Sequence, residues 1–134
     1  MAEKLDGRVR ELLEAPNFAA VATCAEDGAP DVKVVWVDLD GDHVVLNTAE
    51  GRRWPERLRH HPDAVTVTVV NHESPYEYVT IKGRLADDTH EGADENIDRL
   101  AKKYLGKDEY PFRQPGEQRV ILRIEPRRVI HQGG

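Results

Sequence analysis

The chain has 134 residues, 39% hydrophobic and 33% charged, with a formal net charge of -6, the size and balance of one globular domain over 1–134. The acidic excess argues against nucleic acid or an anionic membrane as the main partner, and no apolar run is long enough to span a bilayer. A lone cysteine, Cys24, permits no internal disulfide, and an N-terminus without a basic-then-apolar leader pattern fits a reducing cytoplasm.

Val9, Leu12 and Leu13 fall at helical spacing and predict a helix over 5–14, capped by Asp6 and stopped at Pro16-Asn17. Residues 18–25, rich in Ala and Val, predict a strand, with Cys24 as a small core residue. An Asp27-Gly28 turn leads to a returning strand over 31–38, and a second tight turn at 38–42 to a third strand over 43–48. Strands joined by such short turns predict an antiparallel meander. A short helix over 54–61 follows, closed by Pro62. Val65 to Val70 alternates valine with threonine, the mark of a half-buried strand. A polar loop over 71–75 leads to a long strand over 76–86, where Gly83 predicts a bulge or bend. Ala93, Ile97, Leu100, Ala101 and Tyr104 stripe a helix over 91–105, with Gly106 as its stop. The last strand covers 118–125 and extends past Pro126 over 128–131. This order predicts a mainly β fold, a small antiparallel barrel with flanking helices.

The junction after the third strand, Asn47-Thr48-Ala49-Glu50-Gly51-Arg52-Arg53-Trp54, concentrates positive charge in an acidic chain. Backbone N–H groups at a helix start, with arginines beside them, suit a phosphate or carboxylate. No Ser-His-Asp, Cys-His or paired-carboxylate arrangement stands out. His43, His72, His90 and His131 are scattered without metal-ligand spacing, and His60 and His61 read as exposed.

These segments, in this order, resemble a known family. Asn47-Thr48-Ala49-Glu50-Gly51-Arg52-Arg53 with Arg57-Leu58-Arg59-His60-His61-Pro62 is one part of the resemblance. Ser74-Pro75-Tyr76-Glu77-Tyr78-Val79-Thr80-Ile81-Lys82-Gly83-Arg84 is another. A third runs from Glu91-Gly92-Ala93-Asp94 through Lys102-Lys103-Tyr104-Leu105-Gly106 to Tyr110-Pro111-Phe112 and Pro115-Gly116-Glu117. From Phe18 to Val129 the chain is similar to the pyridoxamine 5'-phosphate oxidase-like split-barrel superfamily, and within it to coenzyme F420-dependent (deazaflavin-dependent) reductases.

The resemblance implies an antiparallel split β-barrel of the FMN-binding type, working as a homodimer with cofactors in grooves between subunits. By position, Asn47, Thr48, Ala49, Arg52 and Arg53 would hold the phosphate end, with Trp54 and Arg57 beside them. The ring would lie along Val34, Val35 and Trp36, and Tyr78 would close the groove from the partner. Trp36 itself reads either as a large core side chain or as an aromatic wall, whereas Tyr104 and Tyr110 read as core or interface. The implied activity is hydride transfer from reduced coenzyme F420 to a small unsaturated acceptor; the alternatives are an FMN enzyme or a flavin, deazaflavin or haem carrier. Arg52, Arg53, Arg57 and Arg59, spread over two helical turns, suit an extended polyanion. The chain departs from the pattern twice. Trp54 stands where many relatives carry lysine, and the tail reads Arg123-Ile124-Glu125-Pro126 rather than the Arg-Leu-Xaa-Pro of the oxidase proper, so pyridoxamine phosphate oxidation is not implied.

Overall fold

A computed structural model describes residues 3–133. Helix α1 (Gly7–Glu14) is followed by strands β1 (Ala19–Cys24), β2 (Pro30–Val35), β3 (Asp38–Asp40) and β4 (His43–Ala49). Helix α2 (Arg53–His60), strands β5 (Val65–Val70) and β6 (Tyr78–Thr89), helix α3 (Ala93–Leu105) and strand β7 (Arg119–Gln132) complete the order. All seven strands form one antiparallel sheet, ordered β2-β1-β5-β6-β7-β4-β3. It curls into a split barrel that does not fully close.

Local signals set most of the elements. Asp6 caps α1, its carboxylate accepting from Val9 N at 2.9 Å. Gly106 ends α3 in the left-handed region at φ 71°. Gly83 lies at a register shift opposite Pro126; a Cβ there would stand 2.6 Å from Ile124 Cγ2 and 2.7 Å from Glu125 O. The same bulge lets β7 pass through Pro126, which has no N–H to give the ladder.

The expected meander breaks in its middle. The returning strand ends at Val35, and Asp38–Asp40 forms a separate strand on β4, pairing Asp38 with Val45. β2 pairs only with β1, at one edge of the sheet, and β3 is the other edge. Only Trp36 and Val37 join the two edges, so the chain crosses the seam of the barrel there. Val37 is fully buried. Its N–H donates to the Tyr104 hydroxyl at 3.1 Å and its carbonyl accepts from Lys103 Nζ at 2.7 Å. Side chains of α3 thus satisfy the backbone that a strand neighbour would otherwise satisfy. Cys24 is also not a core residue: it is half-buried in the outward series of β1, opposite Pro30.

The core lies inside the curled sheet. Val21, Val67, Ile81, Leu46 and Leu122 line it, α1 adds Val9, Leu12 and Leu13, and α2 adds Trp54 and Leu58. β4 is covered on both faces, because α3 packs Ala93 against Val45 and Ile121 on the other side. Glu77, 2% exposed, accepts from Arg8, from Asn71 Nδ2 at 2.9 Å and from His131 Nε2 at 2.8 Å, tying α1 to β6 and β7. The Arg8 hydrogen bond is the main reason its carboxyl titrates far below the usual carboxylate range. Among the described residues no helix is long and apolar enough to cross a membrane.

Candidate functional site: an aromatic pocket joined to a cationic trough

The junction that carries the charge is built by β4, a turn and α2. Glu50 N donates to Gln118 O at 2.9 Å, the last backbone tie of β4 to the chain beside it. Gly51 then takes φ 95°, a conformation open to glycine at no steric cost. Arg52 caps α2 without any side-chain hydrogen bond to the helix, so the first-turn donors of Arg53 and Trp54 have no capping side chain. Pro55 sits in the same turn, where the absence of an N–H costs nothing.

The four arginines of this region differ in what they face. Arg52 is exposed and makes one long contact, Nη1 to Thr48 Oγ1 at 3.3 Å. Arg53 is exposed, and neither it nor Arg52 meets a carboxylate among the described residues. Arg57 pairs with Asp31 of β2 at 2.9 Å. Arg59 turns away from the others to Glu50, Glu56 and Asp88, at 2.8, 2.5 and 2.6 Å. The expectation of four arginines facing one polyanion therefore fails at Arg59, whose charge is balanced elsewhere, and weakens at Arg57.

Three adjoining depressions share Arg52. The first is walled by Phe18, Trp36, Tyr110 and Phe112, with Val34 and Val35 beside them. The second, next along β2, holds Lys33, Arg53 and Arg57. The third reaches past Arg57 to His60 and His61, with Glu26 and Asp27 on its far side. The result is a groove aromatic at one end and mainly cationic at the other.

The aromatic end is packed ring against ring. Trp36 stacks on Tyr104 with centroids 5.2 Å apart and planes 6° from parallel, and Phe18 stacks on Tyr104 from 5.6 Å. Tyr110 meets Trp36 edge-on at 6.0 Å and Phe112 at 5.7 Å. The Tyr104 hydroxyl donates to Asn17 O at 2.6 Å, and burial pushes its pKa up to about 12, so it stays neutral. At the pocket's edge Asn47 donates through Nδ2 to Ala93 O and Asn96 Oδ1, both at 2.9 Å, and accepts from Arg119 Nε at 2.9 Å.

The expected site residues divide accordingly. Val34, Val35, Trp36, Asn47 and Arg52 line the aromatic pocket, and Arg53 and Arg57 the trough. Asn47 has every side-chain polar group engaged within the protein. Thr48 is fully buried and Ala49 nearly so. Trp54 borders the trough, yet its side chain is 4% exposed and belongs to the core. Tyr78 lies on the outward face of β6, 37% exposed, and borders none of the three depressions in a single copy.

Phe18, Ile97, Tyr110, Phe112 and Arg119 also line the aromatic pocket; the sequence reading named none of them as a cofactor contact, although it placed groove side chains in the loop over 107–117. Tyr110, read as core or interface, stands on its wall. Two signals were available: a pair of aromatics in a Pro-containing loop, and an arginine just before the apolar run Val120-Ile121-Leu122.

Sequence and structure comparisons agree with this architecture. The pyridoxamine 5'-phosphate oxidase family profile matches residues 5–133. An F420 reductase superposes with a TM-score of 0.78 at 25% identity, over 90% of this chain and 94% of that one. The conserved hypothetical protein Rv2991 of Mycobacterium tuberculosis gives 0.73 at 18% identity, over 98% and 86%. The haem storage protein HutZ of Vibrio cholerae gives 0.67 at 13%, over 98% and 96%; these last two likenesses show the fold alone. No curated protein matches the chain in sequence.

Proposed function

We propose, for a chain that belongs to the pyridoxamine 5'-phosphate oxidase family, that it is an oxidoreductase taking hydride from reduced coenzyme F420 to a small unsaturated acceptor. The observation that carries this reading is the continuity of the groove through Arg52. An aromatic pocket suits a planar ring. The trough beyond it, with Arg53 and Arg57, suits the phosphodiester and the start of an acidic tail. The residues fit the group: among the described residues Arg52 and Arg53 meet no carboxylate, and the α2 start carries no capping side chain. The similarity to an F420 reductase supports the same choice.

When bound, the deazaflavin supplies the hydride from its ring carbon. The chain's part is to bind, orient and exclude water. Trp36 is fixed by its stack on Tyr104 and gives the ring a flat wall. Phe18, Tyr110 and Phe112 keep water from the rest of the pocket. Arg52 holds the junction between ring and tail.

A homodimer supports this reading. β2, β1, β5, β6 and β7 present one outward row, Val34-Ala20-Thr68-Thr80-Ile130, set by the strand registers. Val34 is 70% exposed and its neighbours are small or apolar, a surface suited to a second copy. The pocket opens beside this face through Val34, so a partner would cover the ring's second side.

A second reading has its own observation. With Arg59 engaged and Arg57 paired, Arg52 and Arg53, which meet no carboxylate among the described residues, are also enough for the single phosphate of FMN. Haem has less support, because no histidine lines the aromatic pocket. Fluorescence titration with coenzyme F420, FMN and haem tests all three. Saturable binding of the deazaflavin alone is expected, and tight FMN binding without it would overturn the F420 reading.

A further inference from the structure

Resting on the reading of this groove as a ring-and-tail site, we propose that Arg119 is a specificity-determining residue of the ring pocket. It donates through Nη2 to an oxygen carried on the ring itself. It thereby selects planar heteroaromatic ligands with an edge carbonyl or phenolate over oxygen-free rings of the same size.

The Arg119 side chain is 3% exposed, yet it lines the aromatic pocket. Two of its three nitrogens are taken: Nε donates to Asn47 Oδ1 at 2.9 Å and Nη1 to Glu117 Oε1 at 2.8 Å. Its face lies over the Tyr110 ring, 5.1 Å from the centroid. Nη2 has no partner among the described residues and is not among the polar atoms sealed from solvent. A guanidinium so fixed has one direction left in which to donate. Buried polar groups are costly unless they find a partner, and the cavity is where a partner can enter.

Charge balance decides what that partner is. The Arg119 charge is already met by Glu117, whose side chain is 8% exposed. The pair presents a directed donor with little net charge, suited to a carbonyl or a delocalised phenolate. Arg52 and Arg53 have no carboxylate against them among the described residues and suit a phosphate. The groove thus divides recognition between its ends: geometry at the ring, charge at the tail. Asn47 cannot do the same work, because its amide is fully engaged with Ala93, Asn96 and Arg119. Asn47 and Glu117 act as positioning residues for Arg119. The titratable groups of the pocket are Arg52, Tyr110 and Arg119, with Glu117 behind.

The test measures affinity of the full-length protein for tail-less rings. The probes are 8-hydroxy-5-deazariboflavin and riboflavin, with acridine as the oxygen-free control. Arg119→Lys keeps the charge and loses the fork. It is expected to weaken both oxygen-bearing rings by about tenfold or more while leaving the weaker binding of acridine unchanged. Unchanged affinity for the deazariboflavin would overturn the proposal. Equal loss for the deazariboflavin and acridine would also overturn it, since that is the pattern of a merely structural arginine.

Glu117→Gln serves if the lysine variant does not fold. It leaves Arg119 unbalanced, so the bound deazariboflavin should ionise at lower pH, read as a shifted midpoint in its visible absorption. An unmoved midpoint would sink the assignment. Riboflavin binding without coenzyme F420 binding would overturn the F420 reading and leave Arg119 to be judged on riboflavin. Binding of neither ring by the unaltered protein would overturn both.

Discussion

Arg59 grips both oxygens of Glu50, Nη1 to Oε1 at 2.8 Å and Nη2 to Oε2 at 2.9 Å. The contact ties the last turn of α2 to the residue just before the Gly51 turn. His90 Nε2 adds a contact to Glu50 Oε2 at 2.6 Å, and Asp88 holds the same arginine from β6. The angle at which α2 leaves the sheet, and with it the placement of Arg52 and Arg53, is set by this cluster.

Glu50→Gln is accordingly expected to cost about 1.5–3 kcal/mol of stability, the scale of a hydrogen bond to a charged group, measured by urea unfolding at neutral pH. The pH dependence has a definite sign. Arg59, chiefly, holds the Glu50 carboxyl down at about 2 against an ordinary 4.5. Its stabilisation is therefore fully present above about 4.5 and is lost as pH falls from there toward 2. The variant should show a shallower acid limb than the unaltered protein, and identical limbs would contradict the role given to Glu50.

Arg52→Ala should weaken coenzyme F420 binding by about 1.5–3 kcal/mol, read by fluorescence titration. Its one side-chain hydrogen bond among the described residues is the long one to Thr48, so the melting temperature should hardly move. An unchanged affinity would remove Arg52 from the site.

Ala20 sits within the outward row, opposite Val34 on one side and Thr68 on the other. A charged Ala20→Arg would have to be desolvated between two copies. The expected result in sedimentation is a monomer that binds cofactor at least about tenfold more weakly. An unaltered protein that is itself monomeric at micromolar concentration would defeat the homodimer reading.

Gly83→Ala is a test of the barrel itself. The added methyl meets Glu125 backbone as well as a side chain, so relief requires the bulge to move. A loss of about 1–3 kcal/mol is expected in chemical denaturation. A neutral effect would mean that the bulge shifts freely.

Much of the fold was legible because its signals are local. The Asp6 cap, the Gly106 stop, the Gly83 bulge and the α3 stripe each act within a few residues of the positions that announce them. The break between β2 and β3 was not legible. Val35 to Val37 continues an apolar run, and what ends the strand there is a tyrosine 67 positions away. The same distance effect shaped the reading of the site. Arg52 stood out in the charged junction, whereas Val34, Val35 and Trp36 were expected beside it only through the resemblance to the family; the four line one pocket. Arg59 looked equivalent to Arg52 until Glu50 and Asp88 took it, the latter from another strand. Arg119 stands out only as an arginine before an apolar run; what orients its side chain is an asparagine 72 positions earlier.

The seam at Trp36-Val37 gives the molecule a degree of evolutionary freedom that closed barrels lack. β2 takes its register from β1 alone, and β3 takes its own from β4. Residues added or removed between the two edges therefore shift no pairing anywhere in the sheet. They do change how far apart the edges stand, and Trp36 lines the aromatic pocket at that spot. Bore and scaffold are thus set by separate contacts, and a short insertion or deletion here would alter the cavity while leaving every strand pairing in place.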